Sequence, residues 1–71
     1  MTVTKLDLDN WFTDHAPKDD QVERYGTIRD AARELAEVLL ANSPASDEQR
    51  AAIYKIRQAV MLANAAIACN E

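Results

Sequence analysis

A chain of 71 residues with a formal net charge of −4 makes one thin domain, because at this length only about 60% of the unfolded surface is buried on folding. A lone cysteine, Cys69, rules out an internal disulfide, and with a single histidine, His15, it falls short of a structural zinc site. The acidic balance excludes general binding to DNA or RNA polymers, which needs a basic footprint, and no apolar run reaches the roughly 20 residues that cross a bilayer.

Residues 1–18 read as an N-terminal arm and residues 19–71 as a helical hairpin domain. Within the arm, Asp7 is placed to cap a short helix that runs through Leu8, Trp11 and Phe12. Pro17 ends it by pushing Ala16 toward extended geometry, with His15 as a turn residue offering a hydrogen bond. Trp11 and Phe12 read as a cap that packs the arm onto the hairpin. The start MTVTKLDLDNW lacks the apolar core of a signal peptide. With the free cysteine, this gives the expectation of a soluble protein in a reducing cytoplasm.

A long helix is expected over 20–42. Asp19 or Asp20 starts it, and Glu23 follows Asp20 by three residues, as in a capping box. Val22, Tyr25, Ile28, Ala32, Leu35, Ala36 and Leu39 give the three-or-four spacing of an amphipathic stripe. Asn42-Ser43-Pro44-Ala45 stops the helix. Ser46 then caps a second long helix over 46–69, with Gln49 as the other half of a capping box. Ile53, Ile56, Val60, Ala63 and Ile67 repeat at the same period, and the short linker folds the two helices back antiparallel. No segment alternates as a strand does. The expected fold class is all-α: a short N-terminal helix plus an antiparallel two-helix hairpin, assembled as a homo-oligomer.

The homo-oligomer follows from the last helix. Ala59 to Cys69, AVMLANAAIAC, is apolar nearly all round, broken only by Asn64. A surface helix shows a polar face; this one needs cover on more than one side. Self-association is also the remaining way for so small a chain to complete a core.

Catalytic chemistry finds little support. His15 has no nucleophile at a recognisable spacing, and Cys69 sits among alanines as a small apolar residue. Gly26 is the only glycine, so no phosphate loop exists, and the acids are spread along helix faces. Neither an enzyme nor a cofactor is expected. Binding has more to stand on. Arg24, Tyr25 and Arg29 bring two guanidiniums and a ring into the first turns of a helix, and Arg33 continues the row. Arginine forks suit phosphate and a ring stacks on a base. The competing reading pairs Arg29 and Arg33 with Asp30, Glu34 and Glu37 on a solvated face. Asn64, in apolar surroundings, must find partners for its amide.

One resemblance bears on this choice. His15-x-Pro17, Gln21-x-x-Arg24-Tyr25-x-x-Ile28-Arg29, Ala31-Ala32-x-x-Leu35-Ala36, Pro44-x-Ser46 and the run from Ala59 to Ala68 occur in order. Together they resemble the hairpin domain shared by phage anti-CBASS proteins, which sequester cyclic oligonucleotides, and the related anti-Thoeris proteins. The resemblance implies an oligomer, a hexamer in the best-known members, working in the host bacterial cytoplasm. It implies that cyclic di- or trinucleotides are held without cleavage; an anti-Thoeris relative would hold a cyclic ADP-ribose isomer instead. By the same resemblance, Trp11 or Phe12 stacks a base and Arg24 or Arg29 grips phosphate, with Tyr25 in support. A second, trinucleotide site would be lined by Met61, Asn64 and Ala65 where C-terminal helices meet. Cys69 stands where many relatives carry arginine, which removes one phosphate donor from that site. A structural or adaptor hairpin is the reading outside this family.

Overall fold

A computed structural model describes residues 2–71 and, among them, three helices and no strand: α1 (Lys5–Trp11), α2 (Gln21–Asn42) and α3 (Asp47–Asn70). The all-α hairpin expected from the spacing is what forms. The helix starts differ in detail from expectation. Thr4, not Asp7, caps α1: its Oγ1 accepts from the Asp7 N–H at 3.2 Å, while Asp7 Oδ2 accepts from the Thr4 N–H at 2.8 Å. Asp7 is thus the reciprocal half of a capping box, and the helix gains Lys5, Leu6 and Asp7 itself.

Asp20 holds the cap position of α2, yet its side chain bonds no helix N–H. Its carboxylate turns instead to Arg24 Nε at 3.1 Å, so the expected box with Glu23 does not form. The chain enters through Asp19 in the left-handed region, at φ 51, and Gln21 Oε1 accepts from the Lys18 N–H at 3.1 Å. Ser46 does cap α3, accepting from the Gln49 N–H at 3.1 Å. The Gln49 amide, however, reaches past Ser46 to the Ser43 carbonyl at 2.8 Å and its Oγ at 3.1 Å. It ties the two helix ends together across Pro44.

α2 packs antiparallel on α3, with Ser43–Gln49 at one end and Arg24–Glu71 at the other. Ile28, Ala32, Ala36 and Leu39 meet Ile53, Ile56, Val60, Ala63 and Ile67 along the seam, and all are half-buried. Two members of the expected stripe, Val22 and Leu35, stay exposed. Among the described residues no apolar side chain is buried; Gln21, at 4% exposure, is the one that is. The reason is geometric. A pair of helices covers its seam from two sides only, so each flank stays open.

The arm lies against the far end of α3 through one hydrogen bond, Asn10 Nδ2 to the Cys69 carbonyl at 2.9 Å. His15 Nε2 donates to the Asn10 carbonyl at 2.7 Å, the turn role its position implied. Trp11 and Phe12 do not act as a packing cap within the subunit: Phe12 is 83% exposed and Trp11 half so. Trp11 closes the short first helix and Phe12 follows it as the cap. No helix of the described residues is long and apolar enough to cross a membrane.

Candidate functional site

Near the end where α2 begins and α3 ends, a hollow of about 390 Å³ is lined by Tyr25, Arg29, Asn64, Ala65 and Ala68. A four-residue step on α2 puts the Tyr25 ring and the Arg29 guanidinium on one face. On α3 the same step sets Asn64 beside Ala68, and the two alanines leave the space a larger side chain would fill. A Cβ at Gly26 would lie 3.8 Å from an Arg29 guanidinium nitrogen, an ordinary contact. The Arg29 head therefore lies back over Gly26, toward the start of its helix.

Electrostatics and unmet hydrogen bonding distinguish this hollow. Among the described residues Arg29 forms no ion pair, whereas Arg33 Nε meets Glu37 Oε1 at 3.0 Å. The ion pairing expected of a solvated face forms at Arg33 and not at Arg29, which is exposed as well. Asn64 Oδ1 is buried with no hydrogen-bond partner. An acceptor left that way costs about 1–3 kcal/mol.

Arg24 is engaged elsewhere. Its NH1 donates to Glu71 Oε2 at 2.7 Å and its NH2 to Glu71 Oε1, a two-pronged fork on one carboxylate, while Nε meets Asp20. Gln21 Nε2 donates to Glu71 Oε1 at 3.2 Å, and Lys18 Nζ to the Glu71 carbonyl at 3.0 Å. The Arg24 hydrogen bond, then that of Gln21, holds the Glu71 carboxyl at about 2, below its ordinary 4.5. The same bond raises Arg24 above its ordinary value. Both side chains stay more than a third exposed, so water screens the pair.

Of the eight residues singled out from sequence, Tyr25, Arg29, Asn64 and Ala65 meet in this hollow. Met61 lies along the adjoining groove, which Arg29 also lines, with Arg33 and Arg57. Arg24 faces Glu71, and neither Trp11 nor Phe12 lines the hollow of its own subunit. Ala68, Gln21, Lys18 and Glu71 were not expected. Gln21 stands one four-residue step before Tyr25, a signal the spacing carried; the meeting with Glu71 depends on folding and had none. A further basic cluster, Arg50 with its guanidinium 5.7 Å over the Tyr54 ring, and Arg57, lines a hollow of about 430 Å³ near the turn. No group of His, Cys, Asp and Glu among the described residues is arranged to hold a metal.

The family model described as "Acb2/Tad1, hairpin domain" matches residues 4–68. No curated protein and no solved structure matches the chain.

Proposed function

The chain belongs to the Acb2/Tad1 hairpin-domain family, sponges that bind cyclic nucleotides rather than transform them, and from that premise we propose that it sequesters cyclic di- and trinucleotides of bacterial immune signalling. In this reading it is an anti-CBASS protein of phage, acting in the host cytoplasm to keep the signal from its effectors. The observation that carries it is the Tyr25–Arg29–Asn64 hollow: a ring, an unpaired guanidinium and an orphaned acceptor around one space. Tyr25 stacks a base, worth about 1–3 kcal/mol. Arg29 takes a phosphate by charge-assisted hydrogen bonds, about 1.5–3 kcal/mol each. Asn64 accepts a base N–H, with Ala65 leaving the room and Met61 bordering it.

The absence of a buried apolar side chain among the described residues supports a homo-oligomer, with six copies as in the best-known sponges. Met61 and Leu62, both exposed on the apolar stretch of α3, supply its seam. The arm, residues 1–18, then brings Trp11 or Phe12 to the hollow of a neighbouring copy of the 19–71 hairpin, closing the ligand between rings. An enclosed site is what affinity without turnover requires, since a preformed pocket lowers the cost of association.

Isothermal titration of purified protein against cyclic di- and trinucleotides and cyclic ADP-ribose isomers tests the reading. Saturable binding of a cyclic dinucleotide, released unchanged on heating, is the expected result. Binding confined to a cyclic ADP-ribose isomer would make the protein an anti-Thoeris sponge. Silence across the whole panel would leave an adaptor hairpin.

A further inference from the structure

Three donors converge on Glu71 from the start of α2, across 47 to 53 positions of sequence: Lys18 Nζ, Gln21 Nε2 and the Arg24 fork. Two of them, Gln21 and Arg24, are also held by contacts other than Glu71. Gln21 is the one buried residue among those described, and its Oε1 is fixed by the Lys18 N–H at 3.1 Å, which aims Nε2 outward. Asp20 steadies Arg24 through Nε at 3.1 Å, leaving both terminal nitrogens of the guanidinium free to donate. Planar forks of this kind recognise carboxylate and phosphate alike.

We infer that Lys18, Gln21 and Arg24 form an oxyanion cradle in which the Glu71 carboxylate stands in for a ligand phosphate and competes with it. The inference rests on the sponge reading and deepens it. Gln21, Tyr25 and Arg29 follow at four-residue steps, so the cradle lies one turn, about 6 Å along α2, from the Tyr25 ring. A ligand with a base in the hollow and a phosphate one turn away engages both. Glu71 is suited to yield. It follows the last residue of α3 and is only partly covered, and helix ends open at little cost. Asp19 and Asp20 balance Lys18 and Arg24, so once Glu71 leaves, the cradle carries no net charge; free phosphate alone binds feebly, and a ligand must also use the hollow.

The experiment has two arms on the full chain. In the first, titration calorimetry with a cyclic dinucleotide compares the wild type with Glu71→Gln and Glu71→Ala, helicity being checked by circular dichroism. Release of an exposed competitor makes both variants bind about two- to fivefold tighter, and adding Arg24→Ala removes the gain. Folded Glu71 variants that bind no more tightly than the wild type overturn the inference and leave the sponge reading standing. In the second arm, the Arg24 Nε–H resonance is followed during addition of inorganic pyrophosphate. A shift reached at lower concentration in Glu71→Ala supports the cradle even if every nucleotide fails. No shift in either protein overturns it.

Discussion

The side-chain amide of Asn10 donates to the main-chain oxygen of Cys69 at 2.9 Å, joining the short first helix to the last turn of α3. The Asn10 carbonyl in turn receives His15 Nε2 at 2.7 Å, so one residue fastens both ends of the arm's turn. Asn10→Ala removes the tether and costs about 1 kcal/mol, the net worth of one hydrogen bond. Amide exchange of α1 should accelerate while α2 and α3 keep their protection. Unchanged exchange in α1 would mean that other contacts hold the arm.

The Arg24–Glu71 fork makes stability sensitive to acid. Glu71 titrates at about 2 in the folded chain against an ordinary 4.5. A carboxyl lowered by folding gives its full contribution above 4.5 and loses it as pH falls toward 2. Glu71→Gln should flatten the helical signal's decline across that window relative to the wild type. The difference is small, because both partners are partly solvated. Coincident profiles from 4.5 to 2 would remove the fork as a contributor.

What the sequence showed and hid divides along the range of the interaction. Pro44, Ser46 and the three-or-four spacing located the turn and both long helices, because caps and stripes are local. Thr4 was hidden behind Asp7, since either member of a Thr-x-x-Asp pair can be read as the cap. Asp20 looked like a cap but spends its carboxylate on Arg24, a competition that spacing does not reveal. Tyr25, Arg29 and Asn64 were legible as residue types wanting partners, and the antiparallel register brought them to one hollow. The meeting of Lys18 and Gln21 with Glu71 was not, because it joins positions 53 and 50 apart in sequence. Phe12 was read as a packing cap and is exposed; a single chain cannot display what a second copy would cover.

Association should govern stability. With no apolar side chain buried among the described residues of one subunit, the thermal midpoint should rise with protein concentration, as it does whenever assembly favours the folded form. Leu62 is 71% exposed on the most apolar stretch of α3. Leu62→Glu should lower the mass measured by light scattering and depress the midpoint. A wild-type monomer with a concentration-independent midpoint would sink the oligomer and the intersubunit site together.

Gly26 is a helix-interior glycine without a positive φ. A methyl group there meets only Arg29, at an ordinary 3.8 Å. Gly26→Ala should therefore stabilise the chain by about 1 kcal/mol, the propensity gap between the two residues. Denaturant unfolding measures it. A loss would place another subunit's backbone against this position.

Asn64 sets stability against function. Its Oδ1 is buried without a partner, an expense of about 1–3 kcal/mol that a core leucine would not carry. Asn64→Leu should raise the melting temperature of the ligand-free protein, by about 4–8 °C per kcal/mol gained in a chain of this size. The same change removes the acceptor assigned to a base N–H, and affinity for a cyclic dinucleotide should fall about tenfold. The two readouts separate the alternatives. If a neighbouring subunit supplies the missing donor, Asn64→Leu lowers the melting temperature and the assembled mass, and the amide belongs to the seam rather than to the ligand.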